Sequence, residues 1–264
     1  CCRVIFGEAD AFPGLTVDRF ETLQENVREA PPEAKLEIKS VASRLGKKIL
    51  SCEHLGCELG GRTLIRDFSY TLLRDDRVGI VGDNGAGKTT LLRLLSGDLP
   101  PTRGSVELGE TVRLGVFAQH CPPMDPDARI IDAIRDVAVK VYTPDGEMSA
   151  SQMAETFLFP SGMQYQKVSS LSGGEQRRLY LLRVLMAAPN VLLLDEPTNH
   201  IDLDMAAWLE DQLTAYHGTL VCVTHDRYLL ERVFSRIFQV GGGQVQTYQT
   251  GYSGYLEERA QREE

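Results

Sequence analysis

The sequence predicts an α/β fold built on a largely parallel sheet, and three stretches carry that prediction. Val78-Gly79-Ile80-Val81 is a short apolar run followed at once by a glycine-rich segment and then an amphipathic stretch, Thr90 to Leu95, which is the order strand, loop, helix. Val191-Leu192-Leu193-Leu194 is a second continuous apolar run, and it ends in two carboxylates, Asp195 and Glu196. A strand buried on both faces reads this way when its C-terminal tip opens into a site. Between the two, Ser172 and Glu175 form an S-x-x-E capping box ahead of Arg177, Arg178 and the apolar run Leu179 to Met186, the signature of a helix start.

In chain order, Leu36 to Ile38, Ile49 to Leu55, Leu64 to Leu72 and Ser105 to Leu108 are short β-like runs around the first strand. They predict an antiparallel β lobe. Leu114 to Ala118 is a further strand ending at Gln119. From there to Leu171 the pattern turns helical, with Ile130, Ile134, Val137 and Val141 recurring at three or four. Ser149 with Gln152 caps a stretch presenting Met153, Phe157 and Leu158. The interval from about 121 to 187 is therefore expected to form a helical lobe. Leu203 to Tyr216 reads as an amphipathic helix in which Trp208 packs, and Thr219 to Val223 as a strand. Gly241-Gly242-Gly243 turns the chain into a final hairpin, and from about 251 to 264 a charged helical tail follows.

The loop after the first strand, Gly82-Asp83-Asn84-Gly85-Ala86-Gly87-Lys88-Thr89, fits G-x-x-x-x-G-K-[ST]. Its glycines let the backbone fold tightly and aim N–H groups inward, and the helix behind them carries about half a positive charge at its N-terminus. A triphosphate suits such a cradle. Lys88 would reach the β- and γ-phosphates, the Thr89 hydroxyl would bind Mg²⁺, and Thr90 continues the nucleotide-binding segment. A plain glycine turn before a helix is the alternative, but the four fixed positions coincide by chance in about one chain in a hundred.

Successive strand residues point to opposite faces, so Asp195 and Glu196 can do different work. Asp195 would hold Mg²⁺, directly or through water, and Glu196 would orient or deprotonate an attacking water, a role worth about 10²–10⁴-fold in rate. Ser172, Gly173 and Gly174 leave a capped helix entrance bare of side chains, an anion site in its own right.

Together these residues resemble the nucleotide-binding domain of the ATP-binding cassette (ABC) superfamily. Pro197-Thr198-Asn199-His200-Ile201-Asp202 is similar to its D-loop, and Val223-Thr224-His225-Asp226-Arg227 to its switch-histidine loop. Gln119 falls where the family's Q-loop glutamine touches metal and water. The resemblance implies a P-loop NTPase with a RecA-like core, ATP and Mg²⁺ as ligands, Glu196 and His225 as catalytic residues, and Thr89, Gln119 and Asp195 at the metal. It also implies that Ser172, Gly173 and Gly174 serve the nucleotide of a second cassette, a copy of this chain or a separate protein. Two departures bear on affinity. Leu59 stands where the family commonly stacks adenine on an aromatic ring, which implies weaker base discrimination, and Asp83 stands where proline is more usual.

Within the superfamily the wording is most similar to the ABC-F proteins, ATPases that act on ribosomes, with residues 18 to 48 resembling the end of their interdomain linker and 49 to 250 one cassette. That implies the ribosome and tRNA as partners. An ATPase subunit of a transporter, and a truncated cassette that binds nucleotide without a cellular role, are the competing readings. Residues 1 to 17 resemble a short piece of a SAM-dependent ribosomal RNA methyltransferase, without the cofactor domain needed to methylate anything.

Composition agrees. At 264 residues, 42% hydrophobic and 25% charged, the chain can bury a substantial core. A net charge of −9 argues against the bare domain wrapping nucleic acid, so Arg177, Arg178 and Arg183 read as a solvated face or a contact with a partner cassette. No apolar run approaches 18 residues and no signal layout opens the sequence, which predicts a cytoplasmic protein without membrane insertion. The six cysteines show no CxxC spacing and read as free thiols, and the histidines other than His225 as ordinary polar residues.

Overall fold

A computed structural model of the protein describes residues 48–143, 146–199, 201 and 203–263. The expectations for residues 1–17, for 18–47 with the strand at Leu36 to Ile38, and for His200 and Asp202 lie outside the described residues. Two long strands, β1 (Lys48–Leu59) and β2 (Arg62–Leu73), form a hairpin, and β4 (Arg103–Leu108) pairs on the other side of β1. All pairs in this sheet are antiparallel, which makes the expected β lobe.

The second sheet has six strands in the order β11-β10-β3-β9-β8-β5. Here β3 is Arg77–Val81, β5 Leu114–Phe117, β8 Val191–Asp195, β9 Thr219–Val223, β10 Arg236–Gly241 and β11 Gln244–Tyr248. Every pair is parallel except the β10–β11 hairpin, whose turn contains Gly242 and Gly243 at positive φ.

Alternation along the central strands divides the core into two layers. Val191 and Leu193 of β8 and Val221 and Val223 of β9 face one side, where helix α1 (Lys88–Ser96) and the β lobe cover them. Leu192, Leu194, Leu220 and Cys222 face the other, against the remaining helices. Leu192, Leu193 and Leu194 are each fully buried, and burial of a leucine stabilises by about 1.5–3 kcal/mol. A charge placed at Leu193 would leave an unpaired ion between α1 and the sheet.

The helical region holds α2 (Ile130–Arg135), α3 (Ala150–Thr156) and α4 (Gly173–Met186). Both expected capping boxes form: Ser149 with Gln152 begins α3 and Ser172 with Glu175 begins α4. Two expectations fail here. Helix α2 stops at Arg135, Val137 lies outside it, and Val141 belongs to a hairpin of β6 (Lys140–Thr143) and β7 (Gly146–Ser149). Val137, Val139, Val141 and Thr143 are β-branched at every second position, and that period-2 pattern outweighs the helical spacing. Leu158 also differs from its neighbours: Met153 and Phe157 are buried, but Leu158 follows the helix end at φ 59° and is exposed.

Helix α5 (Leu203–Ala215) follows the acidic strand end, and Trp208 on it packs edge-on against Phe157 with ring centroids 4.5 Å apart. After α6 (Arg227–Val233), the final helix α7 (Tyr252–Glu263) is charged as expected, yet it is more than a tail. Tyr255 is buried and meets Tyr248 at 4.9 Å, so α7 closes one end of the core. Among the described residues no helix is long and apolar enough to cross a membrane.

Candidate nucleotide site

Because β9 lies between β3 and β8, three loops leave the same C-terminal edge of the sheet side by side: the glycine loop after β3, the carboxylate pair after β8 and the histidine loop after β9. This is where parallel sheets place ligands.

The glycine loop is shaped by close approach. Gly82 sits at φ 151°, and a Cβ there would lie 2.2 Å from the carbonyl oxygen of Val240 on β10. Gly87 caps α1 at φ 108°, a left-handed turn that an L side chain would strain. The Lys88 ammonium folds back across the loop, donating to the carbonyls of Gly82 at 2.8 Å and Asp83 at 3.0 Å. Burial pulls its pKa down, while Glu196, Asp195 and Asp83 push it back up. The lysine and both carboxylates therefore share one field. Asp83, Asn84 and Gly85 are exposed at the loop tip, with Ala86, Thr89 and Thr90 half-buried.

Asp195 is buried at the tip of β8. Burial pushes its carboxyl up, whereas a hydrogen bond from the Thr89 side chain, then the charges of Arg177 and Lys88, pull it down. Its Oδ1 is buried without a hydrogen-bond partner. An orphaned carboxylate oxygen beside a threonine hydroxyl is a hard-oxygen donor pair, and it fits Mg²⁺. Glu196 follows at φ 49°, a left-handed conformation rare outside glycine, with its N–H donating to the Val223 carbonyl at 2.9 Å. Strain of this kind collects at functional positions. Burial raises the Glu196 carboxyl as well, against the opposing charges of His225 and Lys88. His225 Nε2 stands 3.4 Å from Glu196 Oε1, its ring more than half exposed and that glutamate nearly enclosed. Asp226 caps α6 by accepting from the N–H groups of Tyr228 and Leu229, which holds the histidine loop against the sheet edge.

The other sequence candidates are carried by other segments. Leu59 is exposed at the end of β1, just before the Gly60-Gly61 turn. Gln119 is exposed just past β5, and its carbonyl accepts from Arg177 at 2.6 Å. Ser172 and Gly173 are exposed at the start of α4, with Gly174 half-buried behind them; the Ser172 hydroxyl and N–H are both held by Glu175.

The arginines on α4 depart from the expected solvated face. Arg177 is buried and binds four main-chain carbonyls, those of Ala118, Gln119, Asp195 and Glu196. The Arg178 guanidinium lies 5.2 Å from the Phe159 ring centroid, and Arg183 Nε is buried. One signal in the sequence marks Arg177: it is four and eight residues before Leu181 and Leu185, on the stripe that α4 buries.

A parallel sheet with a phosphate loop, an acidic strand tip and a capped, open helix start defines an ABC-type ATP-binding cassette, a P-loop ATPase domain. The chain belongs to the ABC transporter family, whose model matches residues 65–199. Three relatives are similar over nearly the whole chain. The ABC transporter ATP-binding protein YfmR of Bacillus subtilis (strain 168) is 43% identical over 246 residues, covering 92% of this chain and 39% of that protein. The ATP-binding protein Uup of Escherichia coli (strain K12) is 34% identical over 239 residues, 90% of this chain and 37% of that protein. The energy-dependent translational throttle protein EttA of the same strain is 34% identical over 240 residues, 90% and 43%. The chain thus spans about two fifths of the length of these relatives. Among solved structures, the fold is similar to the dimeric ATP-binding cassette MJ0796 in a post-hydrolysis state with ADP and Pi, at TM-score 0.63 and 20% identity, covering 76% of this chain and 98% of that one.

Proposed function

We propose that this cassette binds Mg·ATP and hydrolyses it on pairing with a second cassette, as an ABC-F type ATPase that works in translation in the cytoplasm. The observation that carries the catalytic part is the convergence of Lys88, Asp195, Glu196 and His225 at one sheet edge. Gly82 to Thr90 cradle the triphosphate, with Leu59 beside the base. Thr89, Asp195 and Gln119 would hold Mg²⁺, which would supply neutralising positive charge at the triphosphate. Glu196 accepts a proton from the attacking water, for which a carboxyl raised by burial is the better base. His225, exposed beside it, donates toward the γ-phosphate.

Ser172, Gly173 and Gly174 sit at a separate helix start, and the reading is that they close over the nucleotide of the opposite cassette. The dimeric neighbour supports pairing as the working state. The partner is a second copy or a separate chain. Similarity to EttA, named a translational throttle protein, and to Uup supports the ABC-F assignment and with it the ribosome and tRNA as partners. No activity is assigned to residues 1–17. A second reading, the ATPase subunit of a transporter, draws on the name of YfmR.

Glu196→Gln keeps shape and removes the base, so it traps the ATP-bound pair; size analysis with Mg·ATP that finds only monomer sinks self-pairing. Co-sedimentation with ribosomes in a non-hydrolysable ATP analogue separates the cellular readings. Ribosome binding supports ABC-F, membrane association supports the transporter subunit, and neither leaves a cassette that binds nucleotide without a cellular role.

A further inference from the structure

We infer that Arg177 is the positioning residue that sets the Gln119 loop and the Asp195–Glu196 strand end in one fixed register beneath the nucleotide site. The inference rests on the roles proposed above for Gln119, Asp195 and Glu196.

Strands β5 and β8 run parallel, and their pairing ends at Phe117 opposite Leu194. The next carbonyls belong to Ala118 and Gln119 on one chain segment and to Asp195 and Glu196 on the other. Here the guanidinium of Arg177 takes over from the ladder. Nη1 donates to Ala118 at 3.2 Å and Gln119 at 2.6 Å, and Nη2 donates to Asp195 at 3.1 Å and Glu196 at 2.9 Å. Both terminal nitrogens thereby use all their hydrogens, one nitrogen for each segment. The group is fixed from the side as well. Its carbon lies 4.4 Å from the centroid of the Phe117 ring, and that ring stacks on Tyr180 at 4.8 Å. The Tyr180 hydroxyl in turn donates to the Val116 carbonyl at 3.0 Å and accepts from the Ala118 N–H at 3.2 Å.

Arginine suits this position because its planar fork presents two parallel pairs of donors, whereas lysine offers one nitrogen that cannot span both segments. A buried cation whose hydrogen bonds all go to neutral carbonyls is a costly way to fix backbone, and hydrophobic packing would serve if only stability were needed. What the fork adds is alignment: the backbone behind the metal-holding and water-activating side chains is tied to the backbone of Gln119. Arg177 also lies on α4, four residues beyond Gly173, so the helix whose open end faces a partner's nucleotide carries the clamp of its own hydrolytic strand tip.

The test uses Arg177→Lys and Arg177→Met in the full chain, with three measurements: amide hydrogen exchange, binding of ATP with Mg²⁺ and with EDTA, and hydrolysis. In Arg177→Lys, protection at 118–120 and at 195–196 falls together by about tenfold, while α1 and β9 stay within about twofold. Mg·ATP affinity and hydrolysis fall about 10–100-fold, the range for residues that support metal ligands, and metal-free ATP binding is unchanged. Arg177→Met loses more on every measure. Wild-type exchange and metal dependence in Arg177→Lys overturn the inference. So does loss of protection in one segment only, or uniform loss across the sheet in both variants, which marks a purely structural role. If wild type itself binds no ATP, the nucleotide reading fails, and the paired exchange response still decides whether Arg177 joins the two segments.

Discussion

His225 Nε2 lies 3.4 Å from Glu196 Oε1, joining the loop after β9 to the tip of β8 across a single strand spacing. The two residues approach from adjacent strands, so neither depends on a mobile loop to find the other. His225→Ala therefore leaves the fold and ATP binding intact and lowers turnover by about 10²-fold, within the range for a positioned proton-transfer group. Steady-state hydrolysis beside a nucleotide-binding titration checks this, and a variant at full turnover removes His225 from the catalytic set.

Gly82→Ala places a methyl 2.2 Å from the Val240 carbonyl oxygen at φ 151°, so β10 and the phosphate loop must separate. The expected cost is about 3 kcal/mol, with nucleotide binding lost first. Gly85→Ala is the control: its φ of 75° is strained, but the space around it is open, and it costs about 1–2 kcal/mol. Chemical denaturation of both variants tests the ranking.

Leu59 offers an exposed aliphatic surface at the end of β1. Leu59→Tyr introduces a ring there, and stacking is worth about 1–3 kcal/mol per base. ATP affinity rises roughly 5- to 150-fold with little change in triphosphate binding. Equal gains for ATP and inorganic triphosphate would show that the base lies elsewhere.

The α4 cap titrates. The Ser172 hydroxyl, then its N–H, hold Glu175 below the usual carboxylate range. A depressed folded pKa means that this contribution to stability is present above the unfolded value and is lost as pH falls through the folded one. Glu175→Gln keeps a capping-box side chain that does not titrate. The Tm gap between wild type and this variant, about 2 °C at neutral pH from the greater strength of hydrogen bonds to a charged acceptor, closes on acidification. A gap independent of pH rules the mechanism out.

How much was legible in the sequence follows from how local each feature is. The phosphate loop, the acidic strand tip and both capping boxes are written in consecutive residues, because phosphate cradles and helix caps are short-range geometry. The pairing of β6 with β7 was hidden because Val137 and Val141, two of the β-branched residues at 137, 139, 141 and 143, also continue a helical spacing from Ile130 and Ile134. Arg177 was hidden for a different reason. Its acceptors lie 59, 58, 18 and 19 residues away, and only the assembled sheet brings them together. A lone arginine on an apolar stripe gives the position away without saying what it binds.

Trp208 is the only tryptophan in the chain, and its indole rests edge-on against Phe157, at the end of α3 in the helical region. Any swing of that region against α5 changes the indole's surroundings. The protein thus carries an intrinsic optical gauge of any such movement, readable by fluorescence emission as nucleotide is added, with no label attached.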